Sequence, residues 1–157
     1  MKEYVKKQSK TILIVLLLIC LVALYINWSE KEAMQKRVDE VFTNTISRAM
    51  TGAAMDYRKL SVDEKIQYYY QMFYQLRDAQ DIFHSTTYKE NDKLYSAIDQ
   101  LYIYLLEKRY EGNEYYEIED AGYIYKFFAR VLVFPEESES IDEFNAFIAN
   151  KRKELKS

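Results

Sequence analysis

The run Thr11–Trp28, TILIVLLLICLVALYINW, contains no charged side chain and decides how the rest of the chain is read. Its strictly apolar part, Ile12–Ile26, lacks the polar edge that a helix packed in a soluble core usually keeps. Eighteen helical residues span ~27 Å, close to the ~30 Å hydrocarbon core of a bilayer. The run therefore predicts one transmembrane helix. Tyr25 and Trp28 stand at one end, where amphipathic rings favour the headgroup region. Lys7 and Lys10 stand at the other, with stems long enough to reach back to water. A cleaved signal needs small residues just before the cut, and here only Ala23 is available, with Leu21 two positions before it. Lipidation at Cys20 would put Ile19 where a small residue is normal. The expectation is an uncleaved signal-anchor.

Working outward, the ten residues before the run hold Lys2, Lys6, Lys7 and Lys10 against Glu3. After it, Lys31, Lys36 and Arg37 are diluted by Glu30, Glu32 and Asp39. Basic residues favour the cytoplasmic side, so the tail 1–10 is expected inside and the domain outside. The predicted organisation is tail 1–10, span 11–28, connecting helix 29–60 and α-helical domain 61–157.

The formal net charge is −3, and because the tail carries +3, residues 11–157 carry −6. An acidic domain is a poor nucleic-acid binder. A single Cys leaves no intramolecular disulfide and no cysteine-based metal site. Three Gly and one Pro leave little room for hairpins or phosphate loops. The fold class expected is all-α: the N-terminal span followed by a four- to five-helix bundle or helical-hairpin array.

Capping patterns divide the domain. Ser29-x-x-Glu32 opens a helix to about Asp56, with Met34, Val38, Val41, Thr45, Ala49 and Ala53 as its stripe. Gly52 in that helix marks a close backbone approach or a kink. Ser61-x-x-Glu64 opens a second, with the stripe Val62, Ile66, Tyr69, Phe73, Leu76, Gln80 and Phe83, ending near His84. Thr87-x-x-Glu90 is expected to cap a third, with Leu94, Ile98, Leu101 and Leu105 inward and Gly112 at its C-terminus. Asn113 would cap a fourth, 115–134, whose apolar stretch Tyr123–Phe134 predicts a central position. Ser140-x-x-Glu143 opens the last, packed through Ile141, Phe144, Phe147 and Ile148.

No constellation carries chemistry. His84 is the one histidine, so Asp81-x-x-His84 lacks the second pair a di-iron bundle needs and reads better as a helix end. No nucleophile and base can be paired, and no cofactor or metal set can be drawn. What stands out is tyrosine: sixteen in all, eleven of them between Tyr68 and Tyr116. Rings flanking the core stripes read first as half-buried boundary residues, and second as contact area for a partner, since Tyr supplies large area at low entropy cost. The candidate partner surface is Tyr68, Tyr70, Tyr74, Tyr95, Tyr102 and Tyr104. The functional expectation is a non-enzymatic, membrane-anchored interaction protein, an accessory or regulatory part of an envelope or membrane complex. It has a protein partner, no nucleic-acid partner, and self-association left open. A ligand-sensing bundle, and an envelope-polymer binder or enzyme, are the alternatives.

Overall fold

A computed structural model describes residues 2–110, 118, 120–134 and 137–156. Among them the chain forms five α-helices and no strand: α1 (Lys2–Ala53), α2 (Val62–Phe83), α3 (Asp92–Tyr110), α4 (Ala121–Val133) and α5 (Ser138–Leu155), with a 3-10 turn at Tyr57–Lys59. The all-α class is as the sequence predicts. The chain divides into two compact units, 1–37 and 38–157. Residues 38–60, placed with the connecting segment in the sequence, thus group with the helices that follow.

In the first unit, every side chain from Ile12 to Ile26 is exposed, although all but Cys20 and Ala23 are large and apolar. The helix is long and apolar enough to cross a membrane. Tyr25 and Trp28 are exposed at its far end, with ring centroids 6.4 Å apart. The side chains of Lys7 and Lys10 lie outside the described residues.

In the second unit, burial along α1 begins at Phe42 and continues through Thr45, Ile46, Ala49 and Ala53. Met34 and Val41, expected inward, are exposed. Phe42 is the first residue to reach the end of α2, where it meets the rings of Phe83 at 5.8 Å and Tyr88 at 5.7 Å. At the other end the two helices approach so closely that a Cβ on Gly52 would lie 2.8 Å from the Tyr68 carbonyl oxygen and 3.1 Å from Met72 Cβ. Phe42 against Phe83 and Gly52 against Met72 make the pair antiparallel. α1 stops at Ala53, and the buried Tyr57 hydroxyl donates to the Gly52 carbonyl at 2.9 Å, satisfying a helix-end acceptor. Burial raises the Tyr57 phenol pKa and keeps it a donor.

The Ser61–Glu64 capping box forms, with both reciprocal bonds present. Val62, in its first turn, is exposed rather than part of the stripe. The expected cap at Thr87 is replaced by Asn91, whose side chain accepts from the Leu94 N–H at 3.0 Å. Thr87 binds Asp39 on α1 instead, through its N–H at 2.9 Å and its hydroxyl at 2.8 Å. The last helix begins at Ser138 with Glu137 at its N-cap, three residues before the expected cap Ser140, and Glu137 makes no side-chain capping bond. Gly112 and Asn113 lie outside the described residues.

The central helix is α3, not α4, which is the described helical part of the segment 115–134. α3 packs on α2 along one side and on α5 along the other. Phe73 with Tyr102 and Gln80 with Asp99 run α2 and α3 antiparallel. Lys93 with Asp142 and Glu107 with Arg152 run α3 and α5 parallel. α4 returns against α5, the rings of Phe127 and Phe144 stacked at 3.7 Å. It buries Ala121, Ile124, Phe127, Phe128 and Val131, while Tyr123, Tyr125, Val133 and Phe134 stay exposed. A one-faced helix belongs at the rim. Phenol hydroxyls and helix-end positions tolerate water, so counting those residues as apolar overstated the stripe.

Two measurements check this packing. Gly52→Ala should lower stability by about 1–2 kcal/mol, since overpacking against backbone (~1–3 kcal/mol) exceeds the ~1 kcal/mol gain in helix propensity. Gly122→Ala, with open space around it, should be neutral or gain up to ~1 kcal/mol in the same urea titration. The second concerns pH. Hydrogen bonds from Arg152, and next from Lys156, hold Glu107 at about 2, below its ordinary 4.5. A depressed carboxylate pKa adds stability above the unfolded value, and that stability is lost as pH falls towards the folded one. Glu107→Gln should therefore cost on the order of 1–2 kcal/mol at pH 7 after discounting for solvent screening. The gap between the two proteins should close between pH 5 and pH 2.

Candidate functional site: the tyrosine face of α2 and α3

Each residue of an α-helix turns ~100°, so α2 has three distinct sides. Met72 and the Tyr68 backbone meet α1. Phe73 and Gln80 meet α3, the first through the Tyr102 ring at 4.7 Å and the second through Asp99 at 2.8 Å. Tyr70, Tyr74 and Arg77 lie between α3 and solvent.

The structure divides the six candidate tyrosines into groups. Tyr70, Tyr74 and Tyr102 form one cluster with Phe73. The Tyr70 and Tyr74 rings stack at 5.8 Å, and Phe73 meets Tyr74 edge-on at 5.6 Å. Tyr74 is 51 % exposed, whereas Tyr70 and Tyr102 are half-buried. The Arg109 guanidinium lies 5.3 Å above the Tyr70 ring, a cation–π contact. Tyr95 sits two turns before Tyr102 on the same side of α3, in a second group with Phe83 at 5.3 Å and His84 at 5.0 Å. Tyr68 is turned ~200° from Tyr70 and belongs to the α1 side. Tyr104 is only 5 % exposed and is a core residue, not a surface one. The sequence places it, like Tyr95 and Tyr102, on the flank of the Leu94–Leu105 stripe, but two residues past Tyr102 it faces the opposite way, into the core.

Sequence reasoning missed the Arg109–Tyr70 contact. The signal available was spacing: Tyr102 and Arg109 are seven apart, two full turns on one side of α3. It also missed Phe42 and Ile46, which with Ala49 and Ala53 form a 4-3-4 stripe.

His84 forms the C-cap of α2, and Asp81 beside it is exposed. Among the described residues no group of three His, Cys, Asp or Glu side chains stands close enough to hold a metal ion. A surface depression of about 590 Å³ is lined by Ala53–Arg58, Ile118, Ala121 and Gly122. Its polar groups are committed to one another: Asp56 pairs with Arg58 at 3.0 Å and Lys59 at 3.4 Å, and Tyr57 bonds Gly52. That leaves little there to orient a ligand.

The chain matches no protein-family model, no curated protein and no solved structure.

The two classes of tyrosine separate in a stability measurement. Tyr74→Ala should cost about 1 kcal/mol or less, as for other exposed positions. Tyr104→Ala should cost about 3 kcal/mol or more through the cavity it opens. Equal losses in denaturant unfolding would contradict this assignment.

Proposed function

We propose that this chain is a single-pass membrane-anchored interaction protein, an accessory or regulatory component of a cell-envelope or membrane complex. The N-terminal tail lies in the cytoplasm, Thr11–Trp28 spans the bilayer, and the helical unit beyond it lies on the other side. The cluster Tyr70, Tyr74 and Tyr102 is the face that binds a partner protein.

One observation carries this reading: a stack of rings with its outermost member half in water, backed by a rigid helix pair. Aromatic rings exposed together are costly to hydrate and are enriched where proteins meet. Their support is firm, because Phe73 and Tyr102 are locked between the two helices and the buried Tyr69 hydroxyl donates to the Leu105 carbonyl. A face built on packed helices needs little ordering when it binds, which keeps the entropic cost low. The orientation rests on the four Lys before the span.

The experiment is co-purification of the full chain from membranes in mild detergent. A stoichiometric protein partner is expected, and Tyr74→Ala combined with Tyr102→Ala should reduce its recovery about tenfold while helical content is kept. Protease added outside intact cells should remove the domain and abolish co-purification of that partner. Undiminished recovery with both rings gone would overturn the assigned face. A domain protected from external protease would overturn the orientation.

A further inference from the structure

The geometry points to an acidic segment of the partner as what the α2–α3 face recognises, a conclusion that rests on the interaction reading above and names its chemistry. Three arginines of the helical unit sit in carboxylate pairs: Arg58 with Asp56, Arg130 with Glu137, and Arg152 with Glu107. Arg48, Arg77 and Arg109 have no carboxylate partner among the described residues, and of these Arg77 and Arg109 flank the Tyr70–Tyr74–Tyr102 cluster. In a chain that carries −6 beyond its tail, two guanidiniums without a carboxylate partner among the described residues, set beside these rings, run against the overall charge.

The contact between Arg109 and Tyr70 gives this face its chemistry. A cation–π contact holds the Arg109 guanidinium 5.3 Å from the Tyr70 ring without consuming its N–H edge. That edge is the fork a carboxylate accepts through two parallel hydrogen bonds. Arg77 lies one turn beyond Tyr74 on the same side of α2, so the rings sit between two cationic positions. The matching segment carries acids at both ends of a short apolar or aromatic stretch.

The charge pattern also sets the register. Past Arg77, towards His84, Asp78 and Asp81 are exposed and Asp99 already accepts from Gln80, and Asp63 is exposed two turns before Tyr70 on the same side of α2. An acid extending that far would meet like charge. The acids of the partner therefore cluster at the Arg109–Arg77 half of the seam. Repulsion from the acidic remainder of the unit disfavours other dockings, a specificity that attraction alone does not supply.

The test places the photo-cross-linking residue p-benzoylphenylalanine at Tyr74 of the full chain in its own membrane, and sequences the cross-linked peptide by mass spectrometry. The expected peptide is net acidic, with Asp or Glu within about four residues of the attachment. Reversing both charges, Arg77→Glu with Arg109→Glu, should cut the cross-link about tenfold with helical content and melting unchanged. Arg77→Gln with Arg109→Gln replaces that pair if reversal disturbs folding. A peptide without acids, or a yield that changes less than threefold, overturns the acidic segment and leaves the protein-binding face standing. Cross-links to lipid alone, or none from the folded chain, overturn both.

Discussion

The close approach of α1 to α2 at Gly52 is the constraint on which the rest of the helical unit depends. With the Tyr68 carbonyl and Met72 Cβ where a methyl group would lie, α1 occupies one side of α2 at backbone contact. α3 takes another side through Phe73 and Gln80. Successive residues are ~100° apart, so Tyr70, Tyr74 and Arg77 face away from both of these contacts, and Arg109 of α3 reaches over the Tyr70 ring. The exposure of these rings follows from filling both flanks of α2. The same glycine closes the chain reversal, because its carbonyl is the acceptor for the buried Tyr57 hydroxyl.

α3 then becomes the shared wall. Leu94, Ala97, Ile98, Leu101, Tyr104 and Leu105 are all buried, and burying each large apolar side chain contributes roughly 1.5–3 kcal/mol. Polar ties fix the register that hydrophobic burial leaves loose. Tyr69 bonds the Leu105 carbonyl on one side, and Arg152 forks onto Glu107 at 2.8 Å on the other. α4 needs no such tie to α3, because its Phe127–Phe144 stack attaches it to α5. Such a ring pair adds ~0.5–1.5 kcal/mol beyond area burial.

Much of this was legible in the sequence, and the exceptions share a cause. Ser61 and Glu64 make every bond of their capping box within four residues, so local pattern sufficed. The Leu94–Leu105 stripe was equally plain, since four aliphatic residues at helical spacing have one use. Thr87 misled because its capping competes with a partner 48 residues away, the Asp39 carboxylate, and the tertiary bond wins. Val41 and Met34 misled because the buried stripe runs through Phe42, Ile46, Ala49 and Ala53, and both lie roughly 100° away from it on α1. Tyrosine is the hardest residue to place, since one ring suits a core or a surface. Tyr104 and Tyr102 differ only in which flank of α3 they occupy.

On the proposed function, the anchor bears on how large the binding face must be. Three rings and two guanidiniums form a patch well short of the ~800 Å² per partner of a standard interface. Free in solution, such a face would bind weakly once the entropy of association is charged against it. Confinement of both partners to one membrane changes that balance, because tethered modules meet at effective concentrations that reach millimolar for short links. On the proposed function, the run Thr11–Trp28 is therefore part of the binding energy as well as of the address. It lets a small, selective face suffice, which fits a domain whose depression at Ala53–Arg58 is already satisfied by its own side chains.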